Sequence, residues 1–496
     1  MRAAVASQRS AALKVSNFTD TTVDVFGNAK AFASNLVQPT VRLGVTGLAR
    51  SGKTVFITSL IHNLMTSGRL PFFDAAAEAR IRRVYLEPQP DDAVARFDYE
   101  QHISDLTGPE PRWPQSTRRL SQVRITIDYQ PQSFWKRQFG HDRLHVDIVD
   151  YPGEWLLDLP LLEQSFSEWS AAAIARARSA RRKGYAKAYL NLLSKIAPDE
   201  PQDETKARDL ARAYTSYLAR CRDEGDVLIA GPPGRFLMPG DLEGSPALTF
   251  SPLGPPNGSD DASLWAMMAR RFEAYKTHVI KPFFRDHFSR LDRQIVLVDA
   301  LGALNAGNES MGELETTLAE ILERFRPGAN SWLSTVLRRR IDRIAFAATK
   351  ADHLHHTSHD RLEAILSRLV EGAISRAEFA GAEVKVLALA AIRTTREGEV
   401  SQRGEKLPCI LGYPMRGETI GGKSFSGQEE YAVFPGDLPD DPKKAFARAK
   451  SAEAASIHFV RFRPPRLEKT PLGPATALPH IRLDRAINFL VGDRLS

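Results

Sequence analysis

Cysteine is almost missing: the chain holds two, Cys221 and Cys409, among 496 residues. Two thiols so far apart build no disulfide framework and no Cys/His zinc spacing, so a reducing compartment is expected. Long apolar runs are missing too; none approaches the ~18 residues of a membrane span. The first nine residues lack a sustained hydrophobic stretch, so no secretory signal is expected. Asp20 and Asp24 argue against a transit peptide. These absences point to a cytoplasmic protein, peripheral at the inner face of a membrane if it touches one. No internal repeat is visible. Charge is also unremarkable: 67 Lys and Arg against 60 Asp and Glu leave +7. Such a surplus permits contact with an anionic surface without requiring it.

What is present is enough apolar matter for real cores, 43% of residues. The length suggests about three domains. The most informative stretch is Gly47-Leu48-Ala49-Arg50-Ser51-Gly52-Lys53-Thr54, which fits G-x-x-x-x-G-K-[ST]. It follows an alternating strand, Val41, Leu43 and Val45, and precedes apolar residues at helical spacing, Phe56, Ile57, Leu60, Ile61 and Leu64. In that setting backbone N–H groups of Gly47, Ala49, Arg50, Ser51 and Gly52 can turn toward phosphates, and the helix adds its positive end. Lys53 would reach the β- and γ-phosphates and stabilise charge during transfer; the Thr54 hydroxyl would hold Mg²⁺.

Residues 67–118, rich in Pro, Asp and Arg, read as a long connection. Just before the next strand, Thr117 is the candidate to offer Mg²⁺ a switch hydroxyl. Val123–Ile127 and Leu144–Asp150 read as an antiparallel pair added at a sheet edge, joined by a polar turn. The second of these strands ends in Asp150-Tyr151-Pro152-Gly153-Glu154. Asp150 can bind Mg²⁺ through water, and the Gly153 N–H can meet a γ-phosphate. Glu154 can orient the attacking water or merely cap the next helix.

A mostly helical stretch, 156–291, follows. One helical run is expected over 161–196, and between 176 and 195 it carries seven cations and no acid. A basic amphipathic helix can meet an anionic membrane or an acidic protein partner. Further helices are expected over 203–223 and 264–282, the latter with Leu264, Met268, Phe272, Tyr275 and Val279 on one stripe. The sheet resumes at 294–300. A second D-x-x-G, Asp299 to Gly302, is assigned a structural role. A crossover helix is expected over 304–325, and Arg338, Arg339, Arg340 and Arg343 form a basic surface cluster.

The strand at 341–348 runs into Thr349-Lys350-Ala351-Asp352, the [NT]-K-x-D pattern. A carboxylate can take two hydrogen bonds from guanine N1–H and its exocyclic amine; adenine offers no such pair. The Lys350 stem can cover the ring, and Thr349 can tie this loop to the phosphate loop. After the strand at 384–389, Ala391 and Ile392 can bring a backbone amide to the guanine carbonyl. Residues 396–496 are read as a small mixed region, with strand-like pieces at 431–434 and 457–462 and a helix over 483–491. It shows no nucleic-acid module, so nucleic acid is not an expected partner.

The expected fold is α/β: a P-loop NTPase sheet (41–155 and 292–395) flanked by helices, with a helical insertion (156–291), an N-terminal arm (1–40) and the C-terminal appendage. The motifs at 44–54, 150–155, 349–352 and 389–393 resemble those of the YcjX-like proteins, bacterial P-loop GTPases linked to stress responses. The resemblance spans about 40–490 and implies a Ras-like GTPase using GTP and Mg²⁺, with Gly47 to Thr54, Asp150, Gly153, Lys350 and Asp352 in those roles. Arg50, where some potassium-dependent GTPases have Asn, predicts no potassium site and slow basal hydrolysis. The rivals are an ATPase and a nucleotide-gated adaptor that does not hydrolyse.

Overall fold

A computed structural model describes residues 39–115, 117–132, 142–223, 231–258, 260–323, 341–402, 405–420, 422–446, 459–467, 469–470, 473–474 and 477–496. Residues 1–38 of the expected N-terminal arm and Arg338 to Arg340 lie outside these residues.

The centre is a parallel-rich sheet of eight strands: β1 (Thr40–Gly47), β2 (Ile81–Glu87), β3 (Ala95–Arg96), β4 (Ser121–Tyr129), β5 (Arg143–Asp150), β6 (Arg293–Val298), β7 (Arg343–Ala348) and β8 (Glu383–Ala388). The order is β2-β4-β5-β1-β6-β7-β8, with β3 beside β4. From β5 to β8 all neighbours are parallel; β4 joins β5 and β2 joins β4 antiparallel. The first loop leaves β1 at the sheet's middle, where Val45 pairs with Asp150 and Gly47 with Leu297.

The alternation of side chains along β6 explains the layering. Ile295 and Leu297 face a core shared with Phe56, Ile57 and Leu60 of the helix Lys53–Met65 and with Ile487 and Leu490 of the helix Leu483–Val491. Val296 and Val298 face Leu314 and Leu318 of Asn308–Glu323 and Leu362 and Ile365 of His359–Leu369. Burial on both faces is why β6 reads as one apolar run. Arg293 opens this strand fully buried. Its guanidinium meets Asp493 at 2.8 Å, Asp342 at 3.0 Å and the Leu490 carbonyl at 3.2 Å, fastening the last helix to the sheet.

Between β5 and β6 the described residues form no strand. A 3₁₀ run (Gly153–Glu163) leads into helices Phe166–Arg178, Lys187–Leu193, Glu204–Asp223 and Leu264–Tyr275, the last continuing in π and α turns to Phe288. Their core is aromatic, with Trp169 stacked on Phe272 at 5.0 Å. The stripe Leu264, Met268, Phe272, Tyr275 and Val279 is buried in it.

Several expectations need correction. Residues 67–118 are not a plain connection: they hold β2, β3 and a helix, Tyr99–Thr107, capped by Asp98. As an outer strand β2 keeps a half-wet face, and Arg82 and Arg83 blur its alternation. The pair β4–β5 is not at the edge, because β2 lies outside it. The run expected over 161–196 is broken twice. Ser165 and Glu168 form a capping box that starts a new helix, and Ser179 to Ala186 separate the next. Within that break Arg182 is buried against Glu313, and Arg181 donates to Ser310 Oγ at 2.9 Å. The basic segment therefore presents no single cationic face, although Arg176, Arg178, Lys183, Lys187 and Lys195 stay exposed. The crossover helix is also divided, at Gly307, whose φ of 94° suits glycine. Arg343 is no free surface charge; it pairs with Glu383 at 2.9 Å. In the C-terminal region β9 (Arg396–Gln402) and β10 (Glu405–Gly412) form an antiparallel sheet with Tyr431–Val433. Of the piece expected over 457–462, residues 457 and 458 lie outside the described residues, and Phe462 makes an isolated bridge to Pro414.

Candidate functional site

The loop after β1 is shaped by two left-handed residues, Arg50 (φ 66°) and Gly52 (φ 86°), with Ser51 N–H donating to Leu48 O at 3.2 Å. Lys53 starts the helix and folds back, its Nζ donating to Gly47 O at 2.7 Å. Burial pulls its ammonium below the usual lysine range, against Asp150 and Glu154, which favour the charged form. The D-x-x-G segment lies directly on this loop. A Cβ on Gly153 would stand 2.2 Å from Gly47 O and 2.9 Å from Lys53 Nζ, so only glycine fits. Glu154 is buried beside it.

Three oxygen-bearing side chains converge here. Thr54 Oγ1 lies 3.1 Å from Thr117 Oγ1, and Thr117 donates to Asp150 Oδ2 at 2.6 Å. Burial pushes the Asp150 carboxyl up to about 6, while Lys53 and Thr117 pull it down. Asp150 Oδ1 is buried without a protein partner. Two hydroxyls and a carboxylate with a spare buried oxygen suit a hard divalent cation such as Mg²⁺.

Thr349-Lys350-Ala351-Asp352 forms the other end. Lys350 is left-handed (φ 63°), and its ammonium is held by Asp299. Thr349 Oγ1 donates to Val298 O at 3.3 Å, so it ties the loop to β6, not to the phosphate loop. Asp352 is almost fully buried, and its Oδ2 accepts from Thr394 N at 2.9 Å and Thr394 Oγ1 at 2.5 Å. Its main-chain oxygen is taken by the Thr395 hydroxyl.

One cavity of about 260 Å³ joins the two ends. Ala49 to Thr54, Thr117, Gly153 and Glu154 line it at one side, and Thr349, Lys350, Asp352, Ala391 and Ile392 at the other. Gly47 and Asp150 lie just behind, bonded to Lys53 and Thr117. Arg50 also sends its guanidinium outward, donating to Arg222 O at 2.9 Å at the end of the helix Glu204–Asp223. Six further residues contribute without belonging to any of the nucleotide motifs. Thr394 and Thr395 carry no motif of their own. Trp113, Arg461 and Phe462 close the cavity, with Trp113 Nε1 donating to Phe462 O at 2.8 Å. Asp299 has two tasks. It caps its helix at Gly302 N, 3.0 Å away, and it also orders Lys350.

Residues 41–495 match the YcjX-like family, DUF463. This chain belongs to the YcjX-like family. Two relatives within reach of the family match are both called Ras-like GTPase YcjX. The Escherichia coli K12 protein is 35% identical over 474 residues, covering 92% of this chain and 96% of its own length. The Shewanella oneidensis protein is 33% identical over 477 residues, covering 92% of this chain and 94% of its own length. The YcjX-like match covers both ends of the cavity, including Phe462 and the last helix. Among the described residues no helix is long and apolar enough to cross a membrane.

Proposed function

We propose that this protein binds GTP with Mg²⁺ and hydrolyses it to GDP and phosphate, acting as a nucleotide-dependent switch. The observation that carries the reading is the single cavity bounded by the Lys53 loop and the Asp352 loop. The names of the relatives support the same chemistry.

In this reading Lys53 leaves Gly47 O to meet the terminal phosphates, and the Gly153 N–H turns to the γ-phosphate. Thr54, Thr117 and Asp150 would hold Mg²⁺, which when bound supplies charge neutralisation at the phosphates. Glu154 sits where it can position water. Asp352, oriented by Thr394, keeps its other oxygen for the guanine edge; Ala391 and Ile392 flank the base. Arg50 reports the state of the loop to the helix Glu204–Asp223. The run Gly153–Glu163, buried as far as Leu161, carries motion at Gly153 into the helical stretch.

The division into a nucleotide domain (41–155 and 292–395), an inserted helical domain (156–291) and a C-terminal region (396–496) belongs to this proposal. So do a cytoplasmic location, a partner or anionic membrane surface met by the exposed cations between 176 and 195, and a bacterial stress role. One observation favours the adaptor as a second reading: the buried Glu154 adds negative charge beside the phosphates, which slows hydrolysis.

The test is a panel of labelled nucleotides followed by single-turnover hydrolysis. GTP and GDP should bind well above ATP, and Lys53→Ala should abolish turnover. Tighter ATP binding would sink the guanine reading; binding without turnover would leave the adaptor.

A further inference from the structure

A cluster outside the nucleotide machinery lies on the chain that continues from Asp352. His355, His356 and Glu397 bring one ligand atom each within 4.8 Å of one another. His356 Nδ1 is 2.8 Å from Glu397 Oε2, and His355 Nε2 is 3.9 Å from the same oxygen. A tetrahedral ion with bonds of ~2.1 Å needs ligand atoms ~3.4 Å apart. The cluster is therefore within small side-chain rotations of a metal-binding shape.

Neighbouring groups already orient the ligands. The outer nitrogen of His355, Nδ1, is engaged by Thr357 Oγ1 at 3.0 Å, which leaves Nε2 facing the carboxylate. The other carboxylate oxygen, Glu397 Oε1, accepts from His356 N at 3.2 Å and lies 3.8 Å from Arg393 Nη2. One oxygen is thus anchored by the protein while Oε2 turns to both imidazoles. Partners of this kind fix ring and carboxylate orientation at metal centres. His355 and Glu397 are half-buried and His356 is exposed, so an ion can enter and a water can complete its shell.

We propose that His355, His356 and Glu397 form a transition-metal site, with zinc the expected ion. Two imidazoles and a carboxylate with an open position suit Zn²⁺, whereas Mg²⁺ prefers an all-oxygen set. The ion would join the loop following Asp352 to β9, whose approach carries Thr394 and Thr395, the two residues holding Asp352. Bound zinc thereby stiffens the guanine end of the cavity and raises nucleotide affinity. That last step rests on the guanine reading above; zinc binding itself does not.

The full chain, stripped with chelator, is titrated with Zn²⁺ by calorimetry in excess Mg²⁺ without nucleotide. One equivalent should bind, with affinity lowered at least tenfold in His355→Ala and in Glu397→Gln. His278→Ala, which removes an exposed histidine elsewhere, should change nothing. No binding, or equal binding in the variants, overturns the site. GDP affinity is then measured with and without zinc. A severalfold gain confined to the wild type supports the stiffening, and an unchanged affinity refutes it. A chain that binds zinc but no GDP retains the metal site and loses the guanine reading.

Discussion

Asp352→Asn gives the sharpest test of base recognition. The two side chains have nearly the same shape, so the perturbation is electronic. In the wild type Oδ2 is committed to two donors, Thr394 N–H and Thr394 Oγ1–H, which leaves Oδ1 for the ligand. Those donors also dictate how an amide must sit. Its single oxygen has to face Thr394, since turning Nδ2 inward would oppose N–H to N–H. The amide therefore presents a donor to the base. Guanine offers donors at the same edge, so both hydrogen bonds are lost and become repulsive. At roughly 1.5 kcal/mol for each charge-assisted bond the loss is about 3 kcal/mol, or about two orders of magnitude in Kd. Xanthine, with a carbonyl in place of the exocyclic amine, accepts from Nδ2 and should bind the variant better than guanine does. Fluorescent GDP and XDP titrations against both proteins, with a thermal melt as a folding control, read this out. Guanine affinity within threefold of wild type in a folded variant would refute the assignment of Asp352.

Other consequences follow from the helical side. Asp158 is buried, accepts from Gly234 N at 2.6 Å and Tyr275 Oη at 2.7 Å, and has its carboxyl pushed by burial up to about 6. Its folded pKa exceeds the ordinary carboxyl value of 3.8, so this group makes folding less favourable as pH rises from 3.8 to about 6. Denaturation of Asp158→Asn across that window should show a slope reduced by a total of about 3 kcal/mol; an unchanged slope would place the titration elsewhere. Gly234→Ala would put a Cβ 1.8 Å from Glu154 O, and it should cost about 3 kcal/mol in urea unfolding because backbone must move. Arg50→Ala removes an exposed hydrogen bond to Arg222 O and should change stability by less than about 1 kcal/mol. It should nevertheless erase nucleotide-dependent hydrogen exchange in 204–223; retained exchange differences would exclude Arg50 as the link.

What was legible in the sequence is what is local. The glycines, Lys53 and Thr54 stand in one short segment between a strand and a helix, and their spacing alone implies their shape. Asp150 is readable because it ends an apolar strand, and Asp352 because it closes a short motif just after one. Thr117 was reachable by position, as a hydroxyl just ahead of β4, whose first residue pairs with Asp150. Thr394 was not, because its task exists only through a partner 42 residues away. The same holds for Asp299 and Lys350, which meet only once β6 and β7 lie side by side. β2 was hidden by its place at the sheet edge, where a half-wet face dilutes the alternation. The broken basic helix was hidden for a different reason. Cations without nearby acids look solvated in one dimension, yet Glu313, far along the chain, neutralises Arg182.

The hydrogen bond from Trp113 to Phe462 spans 349 positions. It has a consequence for synthesis. A nascent chain can form the loop at 47–54 early, while the lid of the cavity and the helix clamped by Arg293 are still untranslated. The pocket closes only when the segment holding Phe462 arrives, so a ligand that needs both ends stabilises chains that have reached it and leaves shorter ones without that support. Occupancy of this cavity would then mark chains that have folded past Phe462 before any partner is met.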